Sequence, residues 1–177
     1  LDEAAAAFEN AVRLDPRNVA DLMQLGGVYQ ALKRFTEAAE VYARVVALKL
    51  DDYDAHLELG NLYYRLDRLA EAERMFSRCI EIEFSRPEGH AHLGAVYHDQ
   101  NRYYDAIREF RNSLDCDIDQ PHVMLNLANT YMAQKRFGLA IDALKYAGRL
   151  DKKMALIPAQ LGDCYFQMGQ YDSAKAA

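Results

Sequence analysis

The 177-residue sequence has no tryptophan, only three cysteines and four prolines, and no apolar run long enough to span a bilayer. Nor does the N-terminus place a basic stretch ahead of an apolar core, so no secretory signal is visible. Cys79, Cys116 and Cys164 lie far apart without metal-ligand spacing, which argues against bridges and zinc ligands. They read instead as small buried thiols and favour a reducing compartment. The expected location is cytoplasmic; a periplasmic one is also compatible, because a few free thiols are tolerated there and a targeting signal could lie outside this segment. Basic side chains are in the minority, 21 against 27 acidic ones, giving a formal charge of −6 and a pI near 5.4. Nucleic acid is therefore not an expected partner, since binding a phosphate backbone requires clustered Lys and Arg. Spacing supports no Ser–His–Asp set, Cys–His pair, phosphate loop or paired carboxylates. No catalytic residue, cofactor site or metal ligand is assigned, and the chain is not expected to be an enzyme.

What the sequence does have is a hydrophobic fraction of 51% beside a charged fraction of 27%, the balance of a globular protein, and an internal period. The pair Leu25-Gly26 recurs as Leu59-Gly60, Leu93-Gly94, Leu127-Ala128 and Leu161-Gly162, always 34 residues on, with no insertion. Three residues after each small residue stands a tyrosine: Tyr29, Tyr63, Tyr97, Tyr131 and Tyr165. An alanine follows nine further on, at Ala38, Ala72, Ala106, Ala140 and Ala174, and four places later a large apolar residue, Tyr42, Phe76, Phe110 and Leu144. Ala4, Phe8 and Pro16 continue the frame backwards.

Within each period apolar residues recur at spacings of three and four, as in Leu59, Leu62, Tyr63 and Leu66 and again in Leu69, Ala72, Phe76, Cys79 and Ile80. That pattern predicts two amphipathic helices per period. Between them lie the polar pairs Lys33-Arg34, Asp67-Arg68, Asn101-Arg102, Lys135-Arg136 and Gly169-Gln170, three of which begin with a residue that tolerates a left-handed backbone. Asn18 and Asp52 are candidate N-caps, and Pro87 and Pro121 suit first helical positions. The recurring aromatics read as core, and His56 and His90 as packed and hydrogen-bonded against the second helix.

On these residues the chain resembles the tetratricopeptide repeat (TPR) family, whose 34-residue unit has a small residue eighth, an aromatic eleventh and an alanine twentieth. The tryptophan often found fourth is replaced by Leu22, His56, His90, Met124 and Pro158, and the late proline survives only at Pro16. The resemblance implies an all-α fold, a right-handed superhelical solenoid of stacked antiparallel helix-turn-helix repeats. A single solenoid is expected over 1–177: 1–18 as the second helix of a preceding repeat, full repeats at 19–52, 53–86, 87–120 and 121–154, and a partial repeat at 155–177. Both ends read as mid-repeat, so a longer parent chain is expected.

The resemblance further implies a ligand groove along the concave side, lined by first-helix places two, five, six, nine, twelve and thirteen. Place six reads Gln24, Glu58, His92, Asn126 and Gln160, a polar ladder suited to an extended backbone, with Asn61 and Asn129 added at place nine. Solvated polar residues on an exposed face are the alternative. Asp54, Glu58 and Glu88 near the middle and Leu125, Met132, Leu156 and Phe166 towards the C-terminus suggest a peptide with Lys or Arg at one end and an apolar anchor at the other, and Arg65, at place thirteen, is a further groove residue. His92, His98 and His122 also fall on groove places and leave open a metal site or pH-sensitive contact. The carboxylate clamp of chaperone-binding relatives is not reproduced, since Met23 and Gly27 stand at its first places. The expected function is a scaffold or adaptor that holds a protein or peptide partner. The alternatives are self-association through exposed terminal helices, or a regulatory arm of a larger protein whose catalytic domain lies elsewhere.

Overall fold

The computed structural model describes residues 1–169, and among them every regular element is an α-helix. Two compact units divide the chain at Phe84. The N-terminal unit holds α1 (Asp2–Leu14), α2 (Val19–Ala31), α3 (Phe35–Leu48), α4 (Tyr53–Arg65) and α5 (Leu69–Ile82). The C-terminal unit holds α6 (Pro87–Asp99), α7 (Tyr103–Cys116), α8 (Pro121–Ala133), α9 (Phe137–Leu150) and α10 (Leu156–Gln167). Within each unit every helix packs on the next, as short connections require of antiparallel neighbours. Gln170 and Ala174 of the repeat frame lie outside the described residues.

The predicted starts are formed. The Asn18 side chain accepts from the amides of Ala20 and Asp21, and the Asp52 carboxylate from that of Ala55, satisfying donors that a helix start leaves free. Pro87 and Pro121 open α6 and α8 where no helical amide is lost.

The turns depart from expectation in an instructive way. Not three of them but all five carry a positive φ: Lys33 at 60°, Asp67 at 58°, Asn101 at 61°, Lys135 at 58° and Gly169 at 73°. Two lysines thus accept a backbone they do not favour. The following arginine explains why. The amides of Arg34, Arg68, Arg102 and Arg136 each donate at 2.8 Å to the carbonyl of the tyrosine five residues back, Tyr29, Tyr63, Tyr97 and Tyr131. These are six-to-one bonds that close the helix end. The same guanidinium then lies over the ring of the same tyrosine, 4.4, 4.5, 4.0 and 5.2 Å from its centre in that order. Arg34, Arg68 and Arg102 also pair with Glu37, Glu71 and Asp105 in the first turn of the second helix. Arg136 has Leu139 at that place.

Small residues sit where helices meet. A Cβ built on Gly26, Gly60 or Gly94 would stand 2.6, 2.6 or 2.7 Å from the ring of Tyr42, Phe76 or Phe110 respectively, so in each period the eighth residue seats the large residue of the partner helix. Phe76, Phe110 and Leu144 are fully buried, each worth roughly 1.5 to 3 kcal/mol against exposure. In the N-terminal unit the core runs from Ala5 and Val12 through Leu22, Leu25, Tyr42 and Val45 to Leu59 and Leu62. Burial pushes the Tyr42 phenol up to about 12. Of the thiols, Cys79 and Cys164 are buried as expected, but Cys116, the last residue of α7, is exposed.

Candidate functional site

Each sequence-predicted groove residue lies on a first helix of a hairpin, that is on α2, α4, α6, α8 or α10. The N-terminal unit holds Gln24 on α2 and Asp54, Glu58, Asn61 and Arg65 on α4. Gln24 and Asp54 are exposed, and Glu58 and Asn61 half-buried. Gln30, on the last turn of α2, donates from Nε2 to Glu58 Oε2 at 2.8 Å, joining the two first helices. Glu58 is thus held by a neighbour instead of standing alone as the rung its place suggests. The Arg65 guanidinium lies 4.2 Å from the centre of the Phe35 ring, which covers one of its faces.

The C-terminal unit holds the larger set. Glu88 and His92 are half-buried on α6, as is His98 near its end; His122 and Asn126 are exposed on α8, where Leu125, Asn129 and Met132 are half-buried. Gln160 is half-buried on α10, and Phe166 is 59% exposed near its end. Two hydrogen bonds tie these helices. The Thr130 hydroxyl gives its single proton to the Asn126 carbonyl at 2.8 Å. Its oxygen must then accept from His98 Nδ1, 2.9 Å away, which fixes the His98 tautomer with the proton on Nδ1. The tilted Tyr103 ring, 5.6 Å from that of His98, completes the setting.

Between α8 and α10, Gln160 Nε2 donates to Asn129 Oδ1 at 2.7 Å. That bond turns Gln160 Oε1 to a place where it is itself buried and where no donor among the described residues reaches it. A buried acceptor without a donor costs about 1 to 3 kcal/mol. Asn129, having accepted with its oxygen, keeps its amide hydrogens for a further acceptor. Side by side, the two amides offer an acceptor and a donor, the complement of one peptide unit in an extended chain.

Within their own units, His56 and His90 pack as expected. His56 Nδ1 lies 2.8 Å from the Asp52 carbonyl, and His90 Nδ1 lies 2.8 Å from Glu109 Oε2, in a pair that is 1% and 8% exposed. Burial alone would raise the Glu109 carboxyl. Hydrogen bonds from His90, Arg108 and Asn112 outweigh it and hold the group below its ordinary value. Sequence reasoning missed Gln30, Thr130 and Glu109 as partners. A glutamate at a place filled elsewhere by Val41, Met75 and Ala143 was the available signal for the last.

Two open cavities lie away from these residues. One of about 530 Å³ is lined by Glu9, Val12, Leu25, Tyr29 and Val41, and one of about 730 Å³ by Phe137, Leu139, Lys145, Tyr165 and Met168, with other residues. Among the described residues no group of three His, Cys, Asp or Glu side chains could hold a metal ion, and no helix is long and apolar enough to cross a membrane.

A sequence profile described as a tetratricopeptide repeat matches residues 30–95 and 131–177, and a second with that description matches 1–49. No curated protein matches significantly. Solved structures of the same fold include one of MamA, 22% identical over 87% of this chain and 90% of that one, with a TM-score of 0.82. PilW, described as a widely conserved type IV pilus biogenesis factor, is 21% identical over 99% of this chain and 81% of that one, with a TM-score of 0.84. YrrB, described as a TPR protein with an unusual peptide-binding site, is 15% identical over 97% and 88%, with a TM-score of 0.78.

Proposed function

We propose, since this chain belongs to the tetratricopeptide repeat family, that it is a protein-interaction scaffold which binds an extended segment of a partner on the first-helix face of its C-terminal unit. The observation that carries this reading is the amide pair of α8 and α10: a buried Gln160 Oε1 without a donor beside an Asn129 amide with hydrogens to give. A partner's backbone C=O takes the Asn129 hydrogens while its N–H bonds to Gln160 Oε1 once the Gln160 side chain turns that oxygen out of its buried place, removing the cost of the orphaned acceptor on binding. Asn126, one turn before Asn129 and exposed, extends the row, and the half-buried Leu125 and Met132 with the exposed Phe166 supply apolar anchors of the kind that give side-chain specificity. Glu88 and His92 on α6 set the character of the other end. A peptide-binding site on a protein of the same fold, YrrB, is in keeping with the reading.

The test is a selection of peptides from a random library on the wild-type chain, followed by calorimetric titration of the selected peptide. Asn129→Ala and Gln160→Ala should each weaken it about tenfold, the equivalent of one buried hydrogen bond with its orphaned partner. Gln24→Ala, on the N-terminal unit, should not. Peptides that bind all three variants as tightly as wild type would remove the proposal.

A further inference from the structure

Charge is distributed unevenly along this chain. Residues 1–120 carry 14 basic against 23 acidic side chains, whereas 121–177 carry 7 against 4. The chain is thus acidic over residues 1–120 and basic over 121–177, and in the latter stretch the cations gather about α9. Lys135 and Arg136 precede the helix, Lys145 and Arg149 lie along it, and Lys152 and Lys153 follow in the next turn; all six are exposed.

Three features set this helix apart from its counterparts. The second helices α3, α5 and α7 each begin with an acid, Glu37, Glu71 or Asp105, that pairs with the arginine before it. The first turn of α9 contains none, and Leu139 stands in its place, leaving Arg136 without that partner. Secondly, three of these cations lie over rings: Arg136 over Tyr131, Lys145 over Tyr165 at 5.6 Å, and Arg149 over Tyr146 at 5.1 Å. Among the described residues none of the six makes an ion pair. Thirdly, the face is open. Gly138, Asp142, Lys145 and Arg149 follow one another at spacings of four, three and four and so share one side of the helix. Among the described residues a Cβ on Gly138 would meet nothing within 4 Å, and a shallow concavity of about 590 Å³ is lined by Asp142, Lys145, Tyr146 and Arg149.

We propose that this face of α9 is a second binding surface, separate from the Asn129–Gln160 pair, and that it takes an acidic segment of a partner protein, rich in Asp or Glu. The argument is complementarity. Exposed cations without an ion pair, Arg136 lacking the carboxylate of its repeat frame and three of them lying over aromatic rings, have their charge available to an incoming anion. Aromatic and apolar surface beside them, Tyr146 and Leu139, shields those contacts from solvent.

A fluorescein-labelled dodecapeptide of alternating Glu and Ser is a suitable probe, with binding to the full chain followed by anisotropy. Lys145→Glu with Arg149→Glu should weaken it at least ~tenfold, while Arg17→Glu with Arg74→Glu, the same change of charge at exposed sites of the N-terminal unit, should change it less than about twofold. Asp142→Lys should tighten it. Circular dichroism establishes that each variant retains its helices. Equal losses for both charge-reversed pairs, or no measurable binding by wild type, would overturn the proposal. So would light scattering in which wild type self-associates and the α9 variant does not, without peptide binding, because the face would then belong to a second copy of the chain.

Discussion

Gly26 and Gly27 are neighbours in the interior of α2, yet the packing assigns them opposite responses to one added methyl group. At Gly26 a Cβ would sit 2.6 Å from Cε2 of Tyr42 and 3.0 Å from two further ring atoms, whereas at Gly27 nothing lies within 4 Å. Carbon atoms in contact prefer about 3.5 to 4 Å, so the Tyr42 ring must move. It is 5% exposed and packed within the core cluster, with little room to do so. Alanine is favoured over glycine in a helix interior by about 0.8 to 1 kcal/mol at both places. Overpacking costs about 1 to 3 kcal/mol at the first place only. Gly27→Ala should therefore stabilise by about 1 kcal/mol, and Gly26→Ala should destabilise by anything up to about 2 kcal/mol. Urea titrations followed by far-ultraviolet circular dichroism give the midpoints. In a Tyr42→Leu background, where the ring is absent, the penalty at Gly26 should fall by at least ~1 kcal/mol. Stabilisation by both alanines alike, or a Gly26 penalty indifferent to Tyr42, would refute the account of why the eighth residue is small.

Two further perturbations follow from the turns and the buried pair. Lys33→Gly and Lys135→Gly replace side chains held at φ near +60° and should each raise stability by about 1 kcal/mol, read from the same titrations; a loss would mean that the lysine side chains contribute to the turn. Glu109 is held below its ordinary value, so its contribution is present above the unfolded carboxyl range, near 4.3, and is lost as the pH falls through the lower folded value. The stability difference between wild type and Glu109→Gln, measured by urea midpoint from pH 6 downwards, should therefore shrink below about pH 4; a difference that grows in acid would contradict the assigned direction.

The helices are legible in the sequence because a constant period of 34 places the same packing demand at the same place each time: Gly26, Gly60 and Gly94 must face Tyr42, Phe76 and Phe110, and one residue more or less would rotate them away. The left-handed turn at Lys33 and Lys135 is not legible from those residues, since lysine has no preference for it. The turn is imposed by the arginine amide reaching back to the tyrosine carbonyl, a bond set by turn length more than by composition. The face that carries Asn126, Asn129 and Gln160 is legible as a face. That Gln160 spends its amide on Asn129, and Gln30 its own on Glu58, depends on rotamers and on helices brought together from about thirty residues apart. No periodicity encodes such contacts. His90 and Glu109 lie between these cases, because a glutamate in an apolar series is an anomaly that only its buried partner explains.

The most direct test of the proposed binding face is an amide NMR titration of the full chain with a library-selected peptide, following the side-chain amide resonances of Asn126, Asn129 and Gln160. Those of Asn129 and Gln160 should move together and saturably, as one gives its hydrogens and the other accepts at Oε1, with smaller changes at Gln24. Saturable binding that leaves both unmoved while shifting residues of α7 or α9 would contradict the account.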